Sequence, residues 1–241
     1  MARFSRLEVY NEILRIGVLP IFYHPDIDTA SNAVTACADG GAQAFEFTNR
    51  GDNAFRIFGD LVAHFAKTNP AVIMGVGSIV DGPTAALFIA SGANFVVGPM
   101  LNPEVARLCN RHKIPYIPGC TGATQISQAE ELGVELVKVF FRDSQAGQHF
   151  IRTHLLAMPW TRFVQTGGVE ISESSISGWF EAGVSVVGFG SALFRKDLLD
   201  GKDFDGIRAL SSQAVSLAGA LHARKETDVH GRSVLGGPRG L

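Results

Sequence analysis

The chain has 241 residues, of which 46% are apolar, and its 21 basic and 23 acidic side chains give a net charge of −2. This length suits one large domain or two small ones, and the apolar content is enough for a sizeable core. The near balance of charge argues against binding to nucleic acid or to an anionic membrane surface.

Further sequence features bear on the cellular location of the protein and on metal binding. Arg3, Arg6 and Glu8 interrupt any apolar run at the N-terminus, so no signal peptide is predicted. No apolar run approaches the ~18 residues of a membrane span. The three cysteines show no CxxC pairing and are expected to be reduced thiols, and the seven histidines are too scattered to favour a zinc site. We therefore expect a cytoplasmic protein without a bound metal.

A recurring pattern organises the chain after an opening amphipathic helix at residues 4–15. A helix ends at a glycine, and a short buried strand follows; the glycines are Gly41, Gly92, Gly133 and Gly183. Strands are predicted at residues 18–22, 43–48, 72–76, 94–98, 114–117, 135–140, 162–165 and 185–190. Helices are predicted between most of them, at residues 29–39, 55–67, 82–90, 103–111, 123–132, 145–158 and 174–182.

The alternation of eight strands with helices, without a long linker, predicts a single (β/α)8 TIM barrel over residues 1–222. The opening helix is expected to close the base of the barrel. Residues 223–241 are polar and rich in glycine, and we predict that they form a C-terminal tail. An open doubly wound sheet is the alternative, but no GxGxxG follows the first strand and no change of pattern divides the chain into halves.

Lys138 lies in the middle of an apolar segment, residues 135–141, that has the character of a buried strand. Lysine is almost never buried without a reason. Burial disfavours the charged form of an amine and so favours a nucleophile near neutral pH. The alternative is a lysine that ends a strand and extends its amine to water. This segment alone does not decide between the two.

The second predicted strand carries a carboxylate in a similar setting. Catalytic side chains of a (β/α)8 barrel point inward at the carboxyl ends of the strands, and alternation directs Glu46, Arg50, Lys138 and Phe140 inward. Glu46 either forms a structural ion pair with Arg50 or Lys138, or serves as the acid–base partner of the lysine in imine chemistry. Arg50 offers two parallel donors that fit a substrate carboxylate.

Glycine turns follow the seventh and eighth predicted strands. Thr166, Gly167 and Gly168 follow the seventh strand, and Gly190 and Ser191 end the eighth. Glycines there bring backbone N–H groups close to an anion, and phosphate commonly binds at this place in such barrels. Ordinary turns are the alternative, but two at adjacent strand ends favour a phosphate site.

Taken together, these segments resemble the class I aldolases for 2-keto-3-deoxy-6-phosphogluconate (KDPG) and 4-hydroxy-2-oxoglutarate (KHG). The matching segments occur in family order, at residues 45–50, 75–78, 98–99, 117–119, 137–140, 166–168 and 190–191. The resemblance implies a (β/α)8 fold, assembly as a homotrimer, and no metal or organic cofactor. It also implies a 2-keto acid substrate that is cleaved to pyruvate and an aldehyde such as glyceraldehyde 3-phosphate.

The resemblance implies a role for each matching residue. Lys138 falls on the Schiff-base lysine, and Glu46 falls on the general acid/base. The other matches are substrate-binding positions: Arg50, Ser78 and Pro99 for the pyruvate carboxylate, Phe140 beside the imine, and Thr166, Gly167, Gly168, Gly190 and Ser191 for substrate hydroxyl and phosphate groups.

The chain departs from the family after the sixth strand, where Phe141-Arg142-Asp143 replaces the usual Pro-Ala-Glu and adds positive charge near the rim of the site. Two rival functions remain open at this point. A phosphate-binding barrel isomerase or synthase would explain the glycine turns but gives no role to Lys138 beside Glu46. A non-catalytic barrel that binds a phosphorylated metabolite would bind its ligand without turnover.

Overall fold

The computed structural model describes the backbone of residues 2–233 and the side chains of residues 2–221. The strands are β1 (Val18–Phe22), β2 (Ala44–Thr48), β3 (Ile73–Gly77), β4 (Val96–Gly98), β5 (Tyr116–Pro118), β6 (Val137–Val139), β7 (Phe163–Thr166) and β8 (Val184–Phe189). The helices are α1 (Arg6–Ile16), α2 (Ile27–Asp39), α3 (Ala54–Thr68), α4 (Gly82–Ala90), α5 (Pro103–His112), α6 (Ala123–Glu131), α7 (Ser144–Ala157), α8 (Glu173–Ala182), α9 (Lys196–Asp200) and α10 (Phe204–Ser233).

The eight strands are parallel and lie in the order β5-β4-β3-β2-β1-β8-β7-β6. The two ends of this order meet through a bridge between Gly119 and Lys138, where the Cys120 N–H donates a 2.9 Å hydrogen bond to the Lys138 carbonyl. Strand and helix alternate throughout, and the sheet closes on itself. The predicted single (β/α)8 TIM barrel is confirmed.

Alternation along the strands separates two apolar layers. On β2, Phe45 and Phe47 point outward into the layer between sheet and helices, where the Phe47 ring lies 6.0 Å from that of Phe58 on α3. Ala44 belongs instead to the cluster inside the barrel. Glu46, two residues further along the same strand, therefore also points inward.

The opening helix closes the base of the barrel, as the sequence predicted. Val9, Tyr10 and Ile13 of α1 are buried in the interior cluster with Leu19 and Ala44, which lie near the starts of their strands. Fully burying apolar side chains of this size contributes about 1.5–3 kcal/mol each. The base is therefore sealed by apolar contacts, and the carboxyl ends of the strands form the open mouth.

Local signals set the ends of α1. The Ser5 side chain accepts a hydrogen bond from the Glu8 N–H, and the Glu8 carboxylate accepts one from the Ser5 N–H, which together make a capping box. The helix ends at Gly17, whose φ of 69° lies in the left-handed region. β1 begins at the next residue.

The last helix packs back onto the barrel. Ser211 of α10 is fully buried and donates a 3.0 Å hydrogen bond to the carbonyl of Cys37 in α2. The backbone of α10 continues to Ser233, past the predicted boundary between barrel and tail at residue 222. Residues 234–241, with the side chains of residues 222–233, lie outside the described part of the chain, so the predicted tail stays a prediction. No helix of the described chain is long and apolar enough to cross a membrane.

A polar network lies at the base of the barrel, between α6, α7 and the start of β7. The Thr161 hydroxyl donates a 2.6 Å hydrogen bond to Glu130 Oε1, and His154 Nε2 lies 3.2 Å from the same hydroxyl oxygen. Because the hydroxyl proton points to Glu130, the histidine ring donates to Thr161. Burial lowers the pKa of His154, and the charge of Glu130 opposes this effect in part.

Because the pKa of His154 is lowered in the folded chain, we expect the fold to become less stable in acid. The unfolded chain binds a proton at this residue near its ordinary pKa of 6.5, whereas the folded chain binds it only at lower pH. The free energy of unfolding should therefore fall as the pH decreases below about 6.5, and His154→Gln should flatten that slope. Urea unfolding between pH 5 and pH 8 measures it, and an equal slope in both proteins would contradict the prediction.

Candidate active site

The carboxyl ends of the strands surround two adjoining cavities, one of about 320 Å³ and one of about 600 Å³. The two cavities share Arg50, Lys138 and Phe140. The structure brings together all eleven residues that the sequence predicted for the site. The smaller cavity is lined by Glu46, Arg50, Ser78, Pro99, Lys138 and Phe140, and the larger cavity adds Thr166, Gly167, Gly168, Gly190 and Ser191.

Lys138 and Glu46 meet across the barrel beside the smaller cavity. Lys138 Nζ lies 3.5 Å from Glu46 Oε2, and the two side chains are 16% and 2% exposed. Val137 and Val139 flank the lysine and point outward into the apolar layer, which leaves its amine inside the barrel. The attraction between the two charges offsets part of the cost of burying the carboxylate. The amine remains at the cavity surface, within reach of a ligand.

The Glu46 carboxylate occupies space that β3 leaves free. A Cβ atom at Gly77 would overlap Glu46 Oε1, so a side chain at this position would displace the carboxylate. The same strand has Gly75 facing the ring of Phe95, and a Cβ there would overlap the ring. Both glycines therefore serve as space for larger side chains inside the barrel, a role that the sequence analysis did not identify.

Arg50 and Ser78 lie on the loops that follow β2 and β3. Arg50 is exposed at the mouth of both cavities, and its guanidinium forms no hydrogen bond or ion pair with any described residue. Ser78 has a φ of 63°, a left-handed conformation that is uncommon outside glycine. Strained backbone of this kind is often found at functional sites. An unpaired guanidinium beside a small hydroxyl side chain is suited to binding a carboxylate.

The turn after β7 forms one wall of the larger cavity. Gly167 and Gly168 have φ angles of 78° and 63°, which L side chains rarely adopt. A Cβ at Gly167 would lie 2.7 Å from the ring of Phe140, so this ring packs directly on the turn. Thr166 is 4% exposed, and its hydroxyl has no hydrogen-bond partner among the described residues. A buried hydroxyl of this kind is available to a bound ligand.

Gln165 is a supporting residue that the sequence analysis missed. It is fully buried, and its Nε2 lies 2.8, 3.1 and 2.7 Å from the carbonyl oxygens of Phe141, Thr166 and Gly167, which share its two N–H donors. These bonds tie the loop after β6 to the turn after β7. The signal available in the sequence was a polar residue at an outward position of a buried strand.

Cys120 and Thr121 also line the smaller cavity and were not predicted as site residues. Burial raises the pKa of the Cys120 thiol to about 11, so the thiol is protonated at neutral pH. Thr121 is held by Gln125, whose Oε1 accepts from the threonine N–H and hydroxyl at 2.9 and 3.0 Å. Across the described residues, no group of three or more histidine, cysteine, aspartate or glutamate side chains is placed to hold a metal ion.

We expect Gln165→Leu to destabilise the fold by about 1–3 kcal/mol, because three carbonyls lose a donor in a buried place. The matched control is Gln128→Leu at an exposed position of α6, for which a change within about 0.5 kcal/mol is expected. Urea unfolding measures both. Equal stability of the two variants would show that the Gln165 hydrogen bonds contribute nothing to the fold.

The chain is similar to a known protein family and to several of its members. The model of the family described as KDPG and KHG aldolase matches residues 9–210. The 2-dehydro-3-deoxy-phosphogluconate aldolase of Treponema pallidum is 28% identical over 217 residues, which cover 89% of this chain and 100% of that protein. The KHG/KDPG aldolase of Escherichia coli (strain K12) is 26% identical over 204 residues, 84% of this chain and 93% of that protein.

A solved structure shows the same fold. The KDPG aldolase of Legionella pneumophila, with pyruvate captured as a covalent carbinolamine intermediate, superimposes with a TM-score of 0.74 at 21% identity and covers 84% of this chain and 97% of its own. The family model spans well over half of this chain. The protein therefore belongs to the KDPG and KHG aldolase family, whose members are carbon–carbon lyases.

Proposed function

We propose that this protein is a Schiff-base aldolase in which Lys138 is the nucleophile and Glu46 is the general acid/base. The substrate is a 2-keto-3-deoxy-6-phospho sugar acid or 4-hydroxy-2-oxoglutarate, and the products are pyruvate and an aldehyde. The observation that carries the assignment is the 3.5 Å approach of the Lys138 amine to a buried carboxylate beside a cavity with an unpaired arginine. Membership of the aldolase family supports it.

The first half of the reaction forms the imine. A proton passes from the Lys138 ammonium to the Glu46 carboxylate, which leaves an uncharged amine. The amine attacks C2 of the keto acid, and the proton that the nitrogen then loses converts the C2 oxygen into the hydroxyl of a carbinolamine. Glu46 lies close enough to the amine to donate a proton to that hydroxyl, which leaves as water. The product is an iminium ion joined to the lysine, and its positive charge can accept an electron pair.

The second half breaks the carbon–carbon bond. The Glu46 carboxylate takes the proton of the C4 hydroxyl, the C4–O bond becomes the carbonyl of the aldehyde, and the C3–C4 bond breaks. The electron pair of that bond forms the C2–C3 double bond as the iminium π pair moves to the nitrogen. This step releases the aldehyde and leaves an enamine of pyruvate on Lys138. Glu46 then protonates C3 of the enamine, and water hydrolyses the resulting iminium ion to pyruvate and the free amine.

The remaining site residues bind and orient the substrate. The unpaired guanidinium of Arg50 faces the keto-acid carboxylate, with Ser78 and Pro99 beside it in the same cavity. Thr166 offers its unpartnered hydroxyl to a substrate hydroxyl. The substrate phosphate binds against the turns after β7 and β8, at Gly167, Gly168, Gly190 and Ser191. The ring of Phe140 covers the imine.

The rival functions are not favoured. An isomerase or synthase would use the glycine turns but would leave the paired Lys138 and Glu46 without a task. A barrel that only binds a phosphorylated metabolite would have no need for an amine beside a buried carboxylate, because that arrangement is costly to bury. Both alternatives also lie outside the aldolase family to which the chain belongs.

We further propose that the enzyme is a cytoplasmic homotrimer that acts in Entner–Doudoroff catabolism of sugar acids. Its cysteines, all buried and free, suit a reducing compartment. Val80, Leu87 and Met100 are large apolar side chains that are 44%, 44% and 52% exposed around α4, which suits contact with another subunit. Light scattering of the purified protein tests the trimer.

Reduction with borohydride in the presence of pyruvate is expected to fix a pyruvate-derived adduct on Lys138, which peptide mass mapping locates. Lys138→Ala should form no adduct and should lose retro-aldol activity, because no amine remains to form the imine. The matched control is Lys67→Ala, in the last turn of α3 at an exposed position. Wild-type protein that is folded but forms no adduct would overturn the assignment.

Glu46→Gln is expected to lower kcat by about 10²–10⁴-fold, because the amide keeps the shape of the side chain but cannot transfer the proton. Some imine should still form with pyruvate. Glu135→Gln is the matched control, since that glutamate is exposed and pairs only with Arg162 among the described residues. An unchanged kcat for Glu46→Gln would mean that another group carries the protons.

A further inference from the structure

Arg142 lies at the junction between the larger site cavity and an outer cavity of about 680 Å³. Gly168 and Ser191 line both cavities with it. Arg142 is four residues beyond Lys138, on the loop where the chain departs from the family pattern. The residue therefore lies on the side of the site where the aldehyde half of a substrate would extend.

The guanidinium of Arg142 is free to bind a ligand. It forms no hydrogen bond or ion pair with any described residue. The neighbouring Asp143 forms no ion pair with it, and Oδ1 of that carboxylate instead accepts hydrogen bonds from Gln145 N and Ala146 N at the start of α7. An arginine without a partner among the described residues has its fork of donors available for an anion.

The charges around Arg142 favour a ligand that carries negative charge. Two arginines without an ion-pair partner among the described residues, Arg50 and Arg142, line the larger cavity together with Lys138, whose charge is paired with Glu46. None of the described lining residues of this cavity is acidic. In the outer cavity, Glu170 supplies a carboxylate, so charge selection is strongest at the junction itself. A molecule with negative charge at both ends suits the larger cavity, with one end toward Arg50 and the other toward Arg142.

The loop that carries Arg142 is fixed in place. Gln165 holds the carbonyl of Phe141 at 2.8 Å, and the carbonyl of Arg142 packs against Gly168, where a Cβ would lie 2.7 Å from it. The backbone of this residue is therefore tied to the turn that forms the cavity wall. A fixed attachment point allows an exposed arginine to contribute to selectivity with a smaller loss of entropy on binding.

We propose that Arg142 is the specificity-determining residue of this aldolase and binds the anionic terminus, phosphate or carboxylate, of the aldehyde half of the substrate. The inference rests on the proposed aldolase function. It goes further because it assigns discrimination between charged and neutral aldehyde halves to a residue outside the family pattern. Arg142 takes no part in making or breaking bonds.

The test compares retro-aldol kcat/KM for three substrates with the same keto-acid half. They end in a phosphate (2-keto-3-deoxy-6-phosphogluconate), a carboxylate (4-hydroxy-2-oxoglutarate) and a neutral hydroxyl (2-keto-3-deoxygluconate). Arg142→Ala should lower the ratio of kcat/KM for an anionic substrate to that for the neutral one by about 10- to 100-fold, the usual range for a lost hydrogen bond to a charged group. Arg142→Lys should recover part of the ratio, because it keeps the charge but not the fork.

The matched control is Arg162→Ala, which removes the same charge next to the start of β7, at the other end of the barrel. Its substrate ratios should stay at the wild-type values. A selective loss for the phosphate or for the carboxylate supports the proposal and identifies the terminus. An equal loss for all three substrates, or no loss, overturns it.

Borohydride trapping with pyruvate tests the aldolase function separately from the specificity role of Arg142. Pyruvate has no aldehyde half, so the adduct should form in Arg142→Ala as in the wild type. If the wild type forms an adduct but the Arg142 ratios do not change, the specificity role fails and the aldolase stands. If the wild type forms no adduct, the proposed function itself fails.

Discussion

The burial of Glu46 opposite Lys138 is the constraint on which the site depends. A glutamate whose side chain is 2% exposed is costly to bury without an opposite charge nearby. The only cation within 4 Å of its carboxylate among the described residues is an amine from the other side of the barrel. The pair exists because the sheet closes, and the closing bridge runs from Gly119 to Lys138 itself. One of the two residues that close the barrel is therefore also the proposed nucleophile.

Closure also divides the interior into an apolar base and a polar mouth. Near the base, α1 and the interior cluster fill the barrel with apolar side chains, and Gly75 gives space to the ring of Phe95. One step nearer the mouth, Gly77 gives space to the carboxylate of Glu46. An eight-stranded barrel has an interior just wide enough for its side chains, so each large group requires a small one opposite. The cavity begins where this filling stops.

The parts of the fold and site that depend on local sequence could be predicted. Glycine-ended helices, buried strands and the inward direction of Glu46 follow from neighbours a few residues apart. The sequence did not reveal contacts between distant residues, such as the space at Gly77 for Glu46 or the bond from Gln165 to the carbonyl of Phe141, 24 residues away. The helix α10 was not among the predicted helices, and its backbone continues past residue 222 into a polar segment that carries little apolar periodicity.

The position of Arg142 relative to Lys138 gives a reason for selectivity to reside on the loop after β6. Four residues of chain span at most about 14 Å between Cα atoms, so Arg142 is attached close to Lys138, the residue proposed to bind C2 of the substrate. A group on this loop therefore lies at a fixed distance from the proposed imine, and it can select substrates by the position of their far end. Arg50, on the loop after β2, lines both site cavities, and its proposed partner is the keto-acid carboxylate. Charge at the two ends of the cavity can thus fix the direction of the substrate before any bond is made.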